Sequence, residues 1–235
     1  MNKPGGKATL RQMPRESRAA RAERAERIGS ILAHSYPDAD CALHFGSPFQ
    51  LLVATILSAQ CTDQKVNEVT AQLFREYGTP QALAAASPSE IEAIIRPTGF
   101  YRQKTKSILA SARDVLEKFD GAVPKTLEEL TSLRGVARKT ANVVLGNAFG
   151  IPGLAVDTHM KRVHQRLQLT DSDDPVGIER ELARLVPETE WTSYSHRVIQ
   201  HGRLCCDAKR PRCETCPLAD ECPWPRGAGS SRKRA

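Results

Sequence analysis

Three sets of residues in this 235-residue chain have types and spacings that could do chemistry. Lys139 follows a Gly-containing turn, Leu133-Arg134-Gly135-Val136-Ala137, and falls in the first turn of the helix predicted after it. A tight turn of this kind leaves backbone N–H groups free at a helix N-terminus, where unpaired donors and the helix dipole both favour a phosphate. A cation there sits at the wrong end of the dipole, so its charged form is disfavoured and its amine is easier to reach, which is how a nucleophilic lysine is made. Asp157 opens the next helix, and Asp followed by Thr158-His159-Met160 is also a sound N-cap. The third set is Cys206, Cys213, Cys216 and Cys222, spaced C-x6-C-x2-C-x5-C. In a chain read as cytosolic, such a cluster is metal ligands before it is disulfides. Chemistry alone admits four thiolates on an iron–sulfur cubane or around a tetrahedral zinc. Cys205, Cys41 and Cys61 fall outside the spacing and are expected to be bystanders.

Helices must position these groups. Ser47-Pro48 with Gln50, and Ser87-Pro88 with Glu90, each supply a cap, Pro at the first helical position and Gln or Glu three residues after the cap. Thr79-Pro80 and Asp174-Pro175 repeat the first two parts, Thr126 with Glu129 forms a further capping box, and Gly78, Gly121 and Gly150 mark stops. No segment alternates with period two between hairpin turns. The sequence therefore predicts an all-α body of about ten short helices, with Phe49 to Ala59 apolar nearly all round and so buried at the centre. Between the two candidate helices, Gly150-Ile151-Pro152-Gly153 can turn the second back against the first, so that Lys139 and Asp157 are expected to face one cleft.

The formal net charge is +7, but residues 1–27 and 226–235 carry all of that excess, leaving residues 28–225 with 22 basic against 24 acidic side chains. The informative feature is segregation: basic residues gather at 96–106, 134–139, 161–166 and 197–212, which suggests a one-sided, nucleic-acid-facing surface. Residues 1–27, alternating Arg, Ala and Glu, predict a solvated helix at best and more readily a mobile basic arm. The absence of a signal-like or membrane-length apolar run predicts a cytoplasmic protein, nucleoid-associated if bacterial.

The stretch Gly135 to Val163, GVARKTANVVLGNAFGIPGLAVDTHMKRV, resembles the helix-hairpin-helix, Gly/Pro-rich loop and aspartate motif of DNA base-excision glycosylases. With the cysteine run, whose spacing is close to specific, it is similar to the endonuclease III family over roughly Ile28 to Cys222. The resemblance implies a two-lobed, all-α fold: a helical barrel with the hairpin at 41–151, a cluster lobe from 20–40 and 152–225, a basic disordered arm at 1–19 and a tail at 226–235. It implies a bifunctional glycosylase and abasic-site lyase that excises oxidised pyrimidines from duplex DNA, acts as a monomer and holds a [4Fe–4S] cluster on Cys206, Cys213, Cys216 and Cys222.

Lys139 would attack the deoxyribose and form a Schiff base, while Asp157 would stabilise the positively charged sugar and help take the lysine proton, with His159 in support. The resemblance also gives Gln60 the space vacated by an extruded nucleotide and Phe100, in Thr98-Gly99-Phe100-Tyr101, the role of a wedge. Arg134, Gly135, Val136 and Ala137 would clamp phosphate, joined by Lys209, Arg210 and Arg212 in the loop between the first two cysteines. Two departures stand out: Ala137 where the family's turn usually has a second Gly, and Arg134 where it often has Pro. If position 137 needs positive φ, Ala costs roughly 1 kcal/mol there, and DNA affinity should be weakened or altered. A mismatch-type or otherwise specialised glycosylase on the same scaffold, and a non-catalytic DNA-binding module, remain open alternatives.

Overall fold

The computed structural model describes residues 16–224, which leaves the expected arm up to residue 15 and the 226–235 tail outside the described residues. Those residues form eleven α-helices, three short 3-10 turns and no strand, as the capping pattern predicted. They divide into two compact units, Asp40–Ala155 and the segments flanking it.

The Asp40–Ala155 unit is built around α2 (Pro48–Leu57), where eight of ten residues are buried. Ser47 accepts from the Gln50 N–H and Pro48 takes the first helical position, so α2 starts where its sequence dictates. Around it lie α3 (Asp63–Tyr77), α4 (Pro80–Ala85), α5 (Pro88–Ile95), α6 (Tyr101–Phe119), α7 (Leu127–Thr131) and α8 (Arg138–Phe149). Thr79 and Thr126 cap α4 and α7 through their hydroxyls. One apolar core joins Leu52 and Leu57 of α2 to Val66, Ile91, Ile108, Leu130 and Val144. Cys41 and Cys61 pack against this core.

The second unit holds α1 (Arg18–Ser35), α9 (Thr158–Arg166), α10 (Pro175–Leu182) and α11 (Trp191–Leu204). Residues 18–27 correct the expectation of a mobile arm. They are the first half of α1, and Ala25 and Ile28 are buried. Arg24 explains why a charged stretch docks: the residue is 3% exposed, and its guanidinium grips both oxygens of Glu16 at 2.8–2.9 Å and donates to the Leu167 carbonyl at 2.8 Å. A buried arginine is tolerated when its fork is paired, and composition alone does not reveal that pairing.

Candidate nucleic-acid interface and metal centre

The hairpin in the Asp40–Ala155 unit runs from α7 into α8, and one face of α6 fixes it. Ser111 Oγ donates to the Arg134 carbonyl at 2.6 Å, while Asp114 accepts the Arg134 backbone N–H at 2.8 Å and its guanidinium at 3.0 Å. Burial alone would push the Asp114 carboxyl up, but the Arg134 bonds and Lys118 outweigh it and hold it at about 2. Gly135 has φ +85°, and a Cβ there would lie 2.7 Å from the Ser107 Cβ, so neither conformation nor space admits a side chain. Val136 is buried beneath the turn.

Ala137 caps α8 with φ −86° and ψ 163°. It is ordinary extended backbone, so the strain expected of Ala at this position is absent. Its methyl offers no acceptor to the first-turn N–H groups, which leaves the α8 terminus suited to an external anion. Lys139, the second residue of α8, is exposed. Arg134, expected to touch phosphate, stays exposed while its guanidinium also pairs with Asp114.

Gln60 and Phe100 share an unusual geometry. Both are exposed and left-handed, at φ 53° and 48°. An aromatic next to a helix start is ordinarily core, yet Phe100 is 68% exposed. A residue that the sequence reading placed on the basic face supports both loops: Lys104 is 5% exposed, and its ammonium donates to the carbonyls of Leu57 at 2.8 Å and Thr98 at 2.7 Å. Burial lowers its pKa from lysine's usual range. Lys104, Ser107, Ser111 and Asp114 form a polar stripe at helical spacing on α6, interleaved with buried Ile108, Ala112 and Val115. The spacing is visible in the sequence, but the Leu57 carbonyl that makes Lys104 a support lies 47 residues away.

In the second unit Asp157 caps α9, and its Oδ1 accepts the N–H groups of His159 and Met160, each at 2.8 Å. His159 is held by Arg162, whose Nη2 lies 3.0 Å from its Nδ1, and burial lowers its pKa, with the neighbouring Arg162 adding to the shift. Gly202 of α11 allows this approach, since a Cβ there would meet His159 at 2.8 Å. Deeper in the unit, His164 is fully buried between the Met160 carbonyl and the Tyr194 hydroxyl, at 2.7 and 2.8 Å, and burial drives it down to about 4.

The four spaced cysteines line one pocket, with Leu218 and Trp224 in its wall. Cys205, expected to be a bystander, lines it too. Basic residues of the 161–166 cluster turn inward here. Arg166 donates to the carbonyls of Asp207 and Ala208 and to Cys206 Sγ at 3.2 Å, and Arg162 donates to the carbonyls of Gly202 and Cys206. Lys209, Arg210 and Arg212 remain exposed on the loop, where Asp207 Oδ1 accepts the backbone N–H groups of Lys209 and Arg210.

The donor set fits an iron–sulfur cluster. A single zinc at Zn–S of about 2.3 Å would draw four sulfurs to roughly 3.8 Å from one another. Among the described residues the only His, Cys or carboxylate group with all its ligand atoms within 4.8 Å is His201, Cys205 and Cys216, so the spaced quartet is not gathered around one ion. Burial pushes the Cys216 thiol up to about 12 and Cys222 to about 11, so a positively charged centre must take the place of their protons.

Residues 53–188 match the HhH-GPD superfamily of base excision DNA repair proteins, and residues 206–222 match the iron-sulfur binding domain of endonuclease III. The chain is 52% identical to endonuclease III of Synechocystis sp. over 87% of its length and 94% of the relative's. It is 40% identical to endonuclease III of Escherichia coli over 82% and 92% of the two chains. A solved non-covalent endonuclease III–DNA complex superposes with a TM-score of 0.82 at 42% identity, covering 86% of this chain and 94% of that one. A trapped covalent endonuclease III–DNA intermediate gives 0.83 at the same identity, covering 86% and 95%. Among the described residues no helix is long and apolar enough to cross a membrane.

Proposed function

The chain belongs to the endonuclease III family of HhH-GPD base excision DNA repair proteins, and on that premise we propose that it excises oxidised pyrimidines from duplex DNA through a Lys139 Schiff base. It is a DNA glycosylase and abasic-site lyase, and it binds a [4Fe–4S] cluster. The observation that carries the proposal is Lys139 itself: an exposed amine in the first turn of α8, directly after a hairpin whose cap residue supplies no acceptor.

An enzyme that works on a base must first take it out of the stack. Phosphate held at the α8 terminus sets the register, Gln60 fills the vacated space and Phe100 enters the opposite strand as a wedge. The free amine of Lys139 then attacks the sugar C1′; the glycosidic bond breaks, and its electron pair leaves with the base, which takes up a proton. Asp157 takes the proton that the lysine ammonium gives up and stabilises the positive charge that develops on the sugar. Opening of the ring gives the imine, loss of a C2′ proton follows, and the released electron pair expels the 3′ phosphate. Cys206, Cys213, Cys216 and Cys222 hold the cluster, which fixes the loop presenting Lys209, Arg210 and Arg212 to the backbone. The barrel and cluster-lobe roles of the two units, and action in the cytoplasm as a monomer, belong to the same proposal.

The test is borohydride trapping on a duplex with one oxidised pyrimidine and on one with a plain abasic site, with the wild-type chain and Lys139→Gln. The expected result is an adduct on both duplexes that Lys139→Gln abolishes. Trapping at the abasic site alone would move the protein to another base specificity, and no adduct on either, with DNA binding kept, would overturn the catalytic assignment.

A further inference from the structure

Five cysteines line the metal pocket, one more than the family's spacing uses. The extra one, Cys205, precedes the 206–222 match and is 8% exposed. Its sulfur, Cys216 Sγ and a ring nitrogen of His201 lie within 4.8 Å of one another, a closer grouping than any formed by the spaced quartet among the described residues. Cys205 is also held in place. Its N–H and that of Cys206 both donate to the His201 carbonyl, at 2.9 and 2.8 Å, and its own carbonyl accepts the Arg212 N–H at 2.9 Å, beside Cys213. Its thiol makes a long contact of 3.7 Å to the Arg212 carbonyl and a sulfur hydrogen bond with Cys216, whereas Cys206 Sγ accepts from Arg166 at 3.2 Å.

We propose that Cys205 is a reserve ligand for the cluster, a second thiol that takes over the iron of Cys206 when Cys206 is lost by substitution or damage. The proposal rests on the cluster assignment above and goes beyond it, because the spacing that marks the family has no place for Cys205. Adjacent Cα atoms are 3.8 Å apart, so the exchange needs movement within one loop and not refolding of the unit. The exchange is a substitution without redox change. The Cys205 thiol releases its proton as its sulfur–iron bond forms. Where Cys206 is present but damaged, its bond to iron breaks and its sulfur takes up a proton; where it is substituted, Cys205 fills the open iron position. His201 and Cys216 bound the side of the pocket from which Cys205 reaches in. A neighbour of this kind is absent at Cys213, which is followed by Glu214 and Thr215 and preceded by Arg212.

The experiment measures iron and acid-labile sulfide per chain in the full-length protein purified without oxygen, with far-ultraviolet circular dichroism as the fold control. Cys205→Ser alone is expected to keep the wild-type iron content and Cys206→Ser most of it. Cys213→Ser and the double variant Cys205→Ser with Cys206→Ser should each lose more than about four-fifths. Iron loss in Cys206→Ser as deep as in Cys213→Ser would overturn the proposal, as would a double variant that keeps what Cys206→Ser keeps. Loss of iron in Cys205→Ser alone would also overturn it, since Cys205 would then be a standing ligand. Should Cys206→Ser fail to fold, the decision passes to folded wild type and Cys205→Ser, both oxidised with ferricyanide. The visible absorbance of Cys205→Ser should bleach several-fold faster, and equal rates would contradict the reserve role.

Discussion

In the Asp40–Ala155 unit the hairpin is finished by the protein alone. Asp114 and Ser111 satisfy Arg134, Ser107 packs under Gly135, and Lys104 collects the carbonyls before the Gln60 and Phe100 loops. The cysteine loop of the other unit is organised differently: Arg162 and Arg166 collect its carbonyls, but its sulfurs face a pocket. The first site is preorganised by hydrogen bonds, and the second is completed only by a bound group. Metal loss and acid should therefore damage the second unit first, whereas substitutions in one helix stripe should damage the first.

The largest effect is expected from removing the cluster. Chelation after oxidation should release the 206–222 loop to proteolysis, while the α2 core keeps its amide protection in hydrogen exchange, because metal binding is coupled to folding only where the ligands are. Equal loss of protection in both units would break the comparison. Next is acid. His164 titrates at about 4 when folded because burial disfavours its charge. A depressed folded pKa means that the unfolded chain binds the proton first, so stability is full above about 6.5 and falls as pH drops toward 4, by about 3 kcal/mol on a linkage basis. Denaturant titrations at pH 7 and pH 4 measure it, with His164→Gln expected to flatten the slope.

Two substitutions follow. Asp114→Asn should cost about 1–3 kcal/mol, because the Arg134 backbone and guanidinium lose a charged acceptor in a buried setting, and it should weaken DNA binding through the hairpin. Asp114 is also the acid-sensitive point of this unit, but only at lower pH. With a folded pKa near 2, its contribution is present above about 4 and fades between 4 and 2. Gly202→Ala should cost about 1–3 kcal/mol by forcing His159 away from α11. Ala137→Gly should be the smallest. Its φ of −86° carries no strain to relieve, so the DNA dissociation constant should change less than about twofold, and a large tightening would restore the expectation drawn from the sequence.

The caps at Ser47, Thr79, Thr126 and Asp174 were legible because a cap is a local bargain between one side chain and the next turn. So were the Gly135 turn, the exposure of Lys139 after it and the cysteine spacing. What stayed hidden is where positive charge goes. Counting basic residues set Lys104, Arg162 and Arg166 on a nucleic-acid face, yet each is engaged by carbonyls, and Lys104 and Arg166 are buried. Arg24 was hidden for the same reason within a run that reads as solvated. Such partners lie up to 197 residues away in sequence, beyond any local pattern. Cys205 was missed because a spacing rule names ligands and ignores what else reaches the pocket.

The measurement that bears most directly on the account is peptide mapping by mass spectrometry of the borohydride-reduced DNA adduct. The account predicts that the reduced sugar remnant is on Lys139 and on no other amine. A remnant on Lys106 or another lysine would contradict it, whatever the family resemblance of the chain.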